Sequence, residues 1–471
     1  MVWLKLILAC VLLILIQACT LGPEYTRPDL DVPDKFIETE NDNNAFANLE
    51  WWEFFQDPQL KEYIRESLAA NKELNVALSR IEVARKLVTV VRSDQFPTID
   101  ASGGAGRGRE SRDIIPGADT EDNYNASLDL AYELDVWGKF RRATEAQIAE
   151  LMATEAAYRN VMITLVADVA TTYFLLLDLD NQLLISEETL ASREDSLKIM
   201  EARYSKGTIP ELDVNQAQIE AADAAIAIEV LNRRIVQTEN SLKVLLGQNP
   251  GPVKRGDLLT QKVIPPEIPA GLPSELLQRR PDLIAAEQQL RVQTALIGVA
   301  EAVRYPSFTL TGRFGYESTE LSNLDTGDAK SWNLFGGIFA PIFNAGRLSA
   351  QVEIEKERAK QAQFEYEQTL LQALSEVENS LVAIRTYRQQ FELNKQQVVA
   401  AQNAARLSRA RYDGGVVDYL EVLESERTQF RVEINESEAL QLYINAIVEL
   451  YLALGGGWEY PPEEAYSMVS K

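Results

Sequence analysis

Two long stretches of this chain contain neither glycine nor proline, and they constrain the fold more than any other feature. The first runs from Lys139 to Lys206 and the second from Arg347 to Asp413. At a rise of about 1.5 Å per residue, each stretch could form a helix roughly 100 Å long. Because most globular helices have about a dozen residues, helices of this length indicate coiled-coil or helical-barrel packing.

A shorter stretch without glycine or proline follows each long one. Gly207–Pro210 separates the first long stretch from residues 211–246, and Gly414–Gly415 separates the second from residues 416–454. Each pair predicts a long helix, a tight turn and a shorter returning helix.

The two helix pairs belong to an internal repeat. Ala202-Arg203-Tyr204, before the first turn, corresponds to Ala410-Arg411-Tyr412, before the second turn, at an offset of 410 − 202 = 208 residues. Similar blocks upstream keep nearly the same offset, which indicates a duplicated chain. The first repeat is predicted to cover residues 61–256 and the second residues 257–454.

Alternation of apolar and polar residues predicts β-strands between the helices. From Tyr124 to Leu134 every second residue is apolar or aromatic, and residues 308–317 alternate in the same way. With two weaker segments, the pattern predicts two strands in each repeat, at about residues 98–135 and 305–342. Strands of about ten residues are long enough to cross a membrane when they are tilted.

Four strands in one chain cannot close a barrel, and an open sheet edge is not tolerated in lipid. If the strands span a membrane, several chains must therefore share one barrel, and trimerisation gives 3 × 4 = 12 strands. The predicted fold is mainly α, with a membrane β-barrel shared between chains and long packed helices. The alternative is a lipid-anchored periplasmic coiled-coil scaffold whose hairpins stay in water.

The N-terminal residues have the pattern of a bacterial export signal. An apolar run at residues 6–16 follows Lys5 and ends in Ala18-Cys19, which resembles a lipobox. We therefore expect a lipoprotein signal peptide at residues 1–18, an acyl lipid on Cys19 and a lipid-anchored segment at residues 19–60. Thr20 in place of aspartate favours the outer membrane. The alternative is an ordinary secretory signal with an incidental cysteine.

The composition argues against most enzymatic chemistry. The chain has no histidine and two cysteines, so it lacks His-dependent catalysis and a Cys₄ zinc site. A net charge of −25 repels nucleic-acid phosphates. Neither glycine-rich segment, at residues 103–106 or 455–457, has the context of a phosphate loop. We expect no enzymatic activity, no nucleic-acid partner and no cofactor beyond the covalent lipid.

Three short motifs resemble those of a known family. They are, in chain order, Cys19-Thr20-Leu21-Gly22-Pro23-Glu24-Tyr25, then Trp51-Trp52 with Asp57-Pro58, and then Arg280-Pro281-Asp282-Leu283. Their order, their spacing and the duplicated framework are similar to those of the TolC-type outer-membrane efflux proteins, in the lipoprotein (NodT-like) branch. The resemblance extends over nearly the whole chain after the signal peptide.

The resemblance implies a homotrimer with a 12-stranded outer-membrane β-barrel, to which each chain gives four strands. A long periplasmic α-helical barrel continues it, so the trimer contacts bacterial outer-membrane lipid and extends into the periplasm. It implies two partners, an inner-membrane pump and a periplasmic adaptor protein. The implied function is the exit duct of a tripartite efflux pump, which passively exports drugs or other small molecules.

Candidate gate residues lie at the two helix turns, which we expect at the periplasmic tip. Threefold symmetry would gather acidic side chains into a ring there, raising some of their pKa values and attracting cations. The candidates are Asp418, Glu421 and Glu424, of which the two glutamates share one helix face. The alternative is that acidic residues near a helix start complement the helix dipole.

The resemblance also implies a latch that closes the mouth, a hydrogen bond from Tyr412 to Asp213. An arginine that reinforces this latch in the family is replaced by Val417, so that contact is expected to be absent. Residues 455–471 form a C-terminal tail to which the sequence assigns no role.

Overall fold

The computed structural model describes residues 20–37, 57–111, 113–261 and 273–456. The expected signal peptide, Cys19, the Trp51-Trp52 motif and the tail from residue 457 onward lie outside the described residues. The elements in chain order are α1 (Pro58–Ala70), α2 (Lys72–Ser93), β1 (Thr98–Gly108), β2 (Glu121–Leu134), α3 (Lys139–Ser205), α4 (Glu211–Leu245), α5 (Leu276–Arg279), α6 (Pro281–Ala302), β3 (Ser307–Ser318), β4 (Lys330–Phe339), α7 (Arg347–Asp413) and α8 (Tyr419–Ala453).

The long helices occupy the two stretches without glycine or proline. Helices α3 and α7 have 67 residues each, and the returning helices α4 and α8 have 35 each. Helix α3 is also long and apolar enough to cross a membrane, but more than half of its apolar stretch is buried inside the protein. We therefore interpret α3 as a core helix.

Both turns close in the same way. Gly207 and Gly415 have φ values of +71° and +70°, in the left-handed region that favours glycine. In each turn the residue after the glycine donates its backbone N–H to the carbonyl of an arginine five residues earlier. These bonds run from Thr208 to Arg203 at 3.1 Å and from Val416 to Arg411 at 2.9 Å.

The start of α8 and the end of β4 differ from the sequence expectation. Helix α8 begins at Tyr419 rather than at residue 416, because Asp418 is extended (φ −78°, ψ 169°) and caps the helix. Strand β4 ends at Phe339 rather than at residue 342. Pro341 follows closely, and its nitrogen has no hydrogen to donate to a neighbouring strand.

The four strands form one antiparallel sheet in the order β1-β2-β3-β4. Because successive side chains point to opposite faces, one face carries Tyr124, Leu128 and Tyr132 of β2 and the other carries Asn125, Ser127 and Asp129. Strand β2 pairs with β1 and β3, whereas β1 and β4 are the edge strands within one chain. An apolar outer face and a polar inner face are the arrangement of a membrane barrel.

The chain divides into two compact units. The strand unit contains residues up to Asp29, Arg80–Glu155 and Ala285–Glu367, and so includes the whole sheet. The helical unit contains Leu30–Ser79, Ala156–Ile284 and the residues from Gln368 onward, and so includes both turns. Each sequence repeat contributes to both units, so the repeats are not the units of packing.

A buried polar layer joins α3 to α8 within the helical unit. Asp178 is 2% exposed. Its carboxylate accepts hydrogen bonds from the hydroxyl of Ser437 at 2.5 Å and from the amide of Gln182 at 2.7 Å. Burial raises the pKa of Asp178 to about 6 despite these hydrogen bonds.

Candidate functional site

An apolar cluster lies beside the two helix turns. Met200 of α3, Ala217 of α4 and three residues of α8 form it, and each of them is at most 3% exposed. The α8 members are Tyr419, Val422 and Leu423. Side chains of α7 and the first turn, among them Tyr412 and Ile209, pack against it. The cluster therefore holds the ends of both helix pairs together.

Tyr412 is the aromatic centre of this region. Its hydroxyl donates a hydrogen bond to Met200 Sδ at 3.5 Å, and its ring centroid lies 5.3 Å from that of Tyr419. The guanidinium of Arg203 lies 5.2 Å from the centroid of the same ring. The structure thus gives the Tyr412 hydroxyl a sulfur acceptor, and the expected latch to Asp213 stays a prediction.

Two arginines at matching positions of the repeat form ion pairs at the turns. Arg203 Nη2 lies 3.4 Å from Asp413 Oδ1, and Arg411 Nη1 lies 2.6 Å from Glu421 Oε1. Both arginines belong to the sequence repeat, but the sequence alone gave them no predicted role. Their position one turn before each glycine is the signal that could have suggested it.

The acidic residues at the turns have different environments. Asp418 caps α8, and its carboxylate accepts the backbone N–H of Glu421 at 3.4 Å. Glu424 is exposed, whereas Glu421 is paired with Arg411. Partial burial, together with the negative charge of Asp418, raises the pKa of Asp213 above its usual range. One acidic residue at each turn, Asp213 and Asp418, therefore lies close enough to the other for their charges to interact.

A buried ionic network crosses the helical unit near this cluster. Glu220 of α4 is 3% exposed and contacts both Arg193 of α3, at 3.3 Å, and Arg427 of α8, at 2.5 Å. The residue before Arg427 on α8, Glu426, pairs with Arg409 of α7 at 3.2 Å. This network could not be predicted from the sequence, because its members are up to 427 − 193 = 234 residues apart.

Known proteins similar to this chain decide which family it belongs to. The family described as "Outer membrane efflux protein" matches residues 63–248 and 272–456. The solvent efflux pump outer membrane protein SrpC of Pseudomonas putida is 34% identical over 456 residues, covering 95% of this chain and 97% of that protein. This chain belongs to the outer membrane efflux protein family.

Two further family members support the assignment. The probable outer membrane lipoprotein SilC of Salmonella typhimurium is 34% identical over 461 residues, covering 97% of this chain and 99% of that protein. The open-state crystal structure of the Neisseria gonorrhoeae outer membrane channel MtrE has a TM-score of 0.85 at 29% identity, covering 93% of this chain and 98% of that one.

Membership decides between the two alternatives for the strands. The chain has the fold of a trimeric outer-membrane efflux channel, in which the sheet of each protomer is part of the barrel. It is an outer-membrane component of an efflux system rather than a water-exposed scaffold. Efflux proteins of this family are transport proteins. Among the residues that the structure describes, no group of three or more acidic, cysteine or histidine side chains is placed to hold a metal ion.

Proposed function

We propose that this efflux channel is the exit duct of a tripartite pump and opens at the two helix turns. An inner-membrane pump supplies the energy and selects the substrate, and a periplasmic adaptor protein connects the two membranes. The channel itself conducts passively and carries out no reaction. Because SrpC is named for solvent efflux, we propose small molecules as the exported class here as well.

The observation that carries the gate proposal is the position of Asp213 and Asp418, each in the first turn or at the cap of a returning helix beside the apolar cluster. These residues begin the two returning helices, so a trimer has 3 × 2 = 6 such carboxylates at its mouth. Neighbouring carboxylates raise each other's pKa and attract cations, so these residues concentrate negative charge at the mouth.

The remaining candidates have complementary roles in the proposed gate. Glu424, which is exposed, and Glu421 supply negative charge that draws cations into the mouth. Tyr412 stabilises the closed mouth by packing against the apolar cluster. After a rearrangement of the tip, its hydroxyl also donates a hydrogen bond to Asp213. The ion pair of Arg203 with Asp413 joins the two turns of a protomer, and the ion pair of Arg411 with Glu421 joins α7 to α8.

Single-channel conductance in planar bilayers tests the gate. We expect the double variant Tyr412→Phe with Asp213→Ala to raise the conductance of the purified trimer, because both latch partners are lost. Asp195→Asn, which removes an exposed acid of α3 away from the turns, is the matched control. Equal conductance of the double variant and the control would refute the assignment of these two residues to the gate.

We also propose that an acyl lipid on Cys19 anchors the chain, as the lipobox pattern suggests. SilC, a lipoprotein by name, supports this proposal. Mass spectrometry of the mature N-terminal peptide should show a thioether-linked diacylglycerol and an N-acyl group, and Cys19→Ser should abolish both. An unmodified peptide that begins elsewhere would support the ordinary secretory signal instead.

A further inference from the structure

One cross-strand row on the polar face of the sheet carries both signs of charge. Asp100 lies opposite Asp129, Asp129 opposite Arg313, and Arg313 opposite Asn333. The four residues therefore form one row across all four strands, and we name them the charged rung. In the trimeric barrel the polar face lines the water-filled interior, so the charged rung is repeated three times around the lumen.

Hydrogen bonds fix the central pair of the charged rung. Arg313 Nε donates to Asp129 Oδ1 at 2.6 Å. The other carboxylate oxygen, Oδ2, accepts from the hydroxyls of Ser102 at 2.9 Å and Ser127 at 3.0 Å. The Arg313 side chain is nevertheless 58% exposed. Its charge is thus held in place while it remains in contact with lumen water.

Arg313 is the one cationic side chain among the described strand residues of the polar face. The acidic residues of the same face are Asp100, Glu121, Asp129, Glu133 and Glu317. The charged rung has a net charge of 1 − 2 = −1 in each chain, which makes −3 in the trimer. Without Arg313 the same ring would carry 3 × −2 = −6.

We propose that the charged rung is a charge filter in the barrel, and that Arg313 limits how strongly the lumen favours cationic over anionic solutes. A lumen lined by acids alone would exclude anions and retain cations, whereas a mixed ring lets both signs pass with a mild cation preference. The inference goes beyond the proposed gate. It rests on the barrel alone and holds whether the periplasmic mouth is open or closed.

Thiol labelling from the outside measures the local potential without conduction through the mouth. Ala131 is exposed on the polar face, two residues from Asp129 and opposite Thr311 of β3. Ala131→Cys therefore places a reporter diagonal to Arg313 without removing a side-chain hydrogen bond. Its reaction rates with a cationic and an anionic methanethiosulfonate give a ratio that depends on the local charge. The chain without this substitution corrects for Cys19.

A unit charge roughly 7–8 Å away in water changes each rate about two- to threefold, in opposite directions for the two reagents. In the Ala131→Cys background we expect Arg313→Gln to raise the cation-to-anion ratio about sixfold at roughly 10 mM ionic strength, where screening is weak. Asp129→Asn should lower the ratio by a similar factor, and the double variant should return it close to the starting value.

The matched control lies on the opposite face of the same hairpin. Arg107 pairs with Asp122 across β1 and β2 at 3.5 Å, so Arg107→Gln removes an equal charge from the outer face and should leave the ratio unchanged. A ratio that Arg313→Gln does not change would overturn the charge filter. A thiol at Leu128 that reacts while one at Ala131 does not would overturn the orientation of the sheet, and the inference with it, but would leave the gate experiment unaffected.

Discussion

Removal of the buried carboxylate at Glu220 should loosen the helical unit more than any change at its surface. The Glu220 carboxylate forms ion pairs with Arg193 and Arg427, and its backbone carbonyl accepts a hydrogen bond from Arg193 at 2.7 Å. Three helices, α3, α4 and α8, therefore meet at one carboxylate. Glu220→Ala leaves the guanidinium of Arg193 buried without its ionic partner.

The magnitude follows from the exposure of the two arginines. The Arg193 side chain is 6% exposed and cannot be solvated in place, whereas the Arg427 side chain is 47% exposed and can turn to water. Breaking a buried ion pair costs about 3–5 kcal/mol. At 1.36 kcal/mol per factor of ten, local opening of these helices should become roughly 100- to 5,000-fold more frequent.

Hydrogen exchange of the purified trimer, followed by mass spectrometry, is the assay. Peptides from α4 around Glu220 should exchange faster by that factor, while peptides from the sheet should be unaffected. Glu220→Gln, which preserves the shape and one acceptor oxygen but neither the charge nor the second acceptor, should give an intermediate effect. Asp195→Asn, which breaks the exposed pair with Lys198, is the control and should have no measurable effect.

If the α4 peptides of Glu220→Ala exchange at a rate within threefold of that in the unmodified protein, the buried carboxylate does not hold these helices together. Acceleration spread equally over the helices and the sheet would show global destabilisation and would equally refute a local role.

Three further predictions concern other contacts. A side chain at Gly298 would meet the carbonyl of Leu21 at 2.6 Å, so Gly298→Val should displace the N-terminal segment at a cost of about 1–3 kcal/mol and speed proteolysis at residues 20–37. The pKa of Asp178 is raised to about 6 in the folded protein. Between about pH 4 and 6 the folded protein therefore keeps a proton on Asp178 that the unfolded chain has lost, so stability falls as pH rises through that window. Asp178→Asn should remove this loss, about 3 kcal/mol by pH 7, and raise the thermal midpoint at pH 7 more than at pH 5. Arg280 is 7% exposed and donates to the carbonyl of Ala453 at 2.9 Å. Arg280→Lys, which loses the planar guanidinium, should therefore lower the free energy of unfolding by roughly 1–3 kcal/mol and the thermal midpoint with it.

Each of these predictions has an opposing outcome. Unchanged proteolysis in Gly298→Val would mean that the N-terminal segment is not packed against α6. An equal shift of the midpoint at pH 5 and pH 7 in Asp178→Asn would show that this carboxyl does not titrate between them. A midpoint unaffected by Arg280→Lys would show that one cationic hydrogen bond suffices at that site.

Much of the fold follows from the sequence because it depends on local rules. The absence of glycine and proline between residues 139 and 206 leaves the helix without a breaker, and strict alternation at Tyr124–Leu134 leaves the strand with one apolar face. The glycines of the two turns, Gly207 and Gly415, adopt the left-handed φ that a tight reversal requires. The closure of four strands into a shared barrel follows from the cost of an open edge in lipid.

The candidate site is only partly readable in this way. The sequence identified the acidic character of Asp418 and Glu421, but not that the first caps its helix and the second pairs with Arg411. Both facts depend on which side chains lie within reach after the returning helix has packed, and helix periodicity does not specify that.

By itself, the sequence determined the helices, the strands, the duplication and the family, since each is encoded in spacing along the chain. Only the tertiary structure decided which charges meet. Arg203 reaches Asp413 across 413 − 203 = 210 residues, and Asp129 reaches Arg313 across 313 − 129 = 184. In a chain with 71 acidic and 46 basic residues, many such pairs are possible. Packing alone selects among them, because the energy of a charge pair depends on distance and burial rather than on order in the sequence.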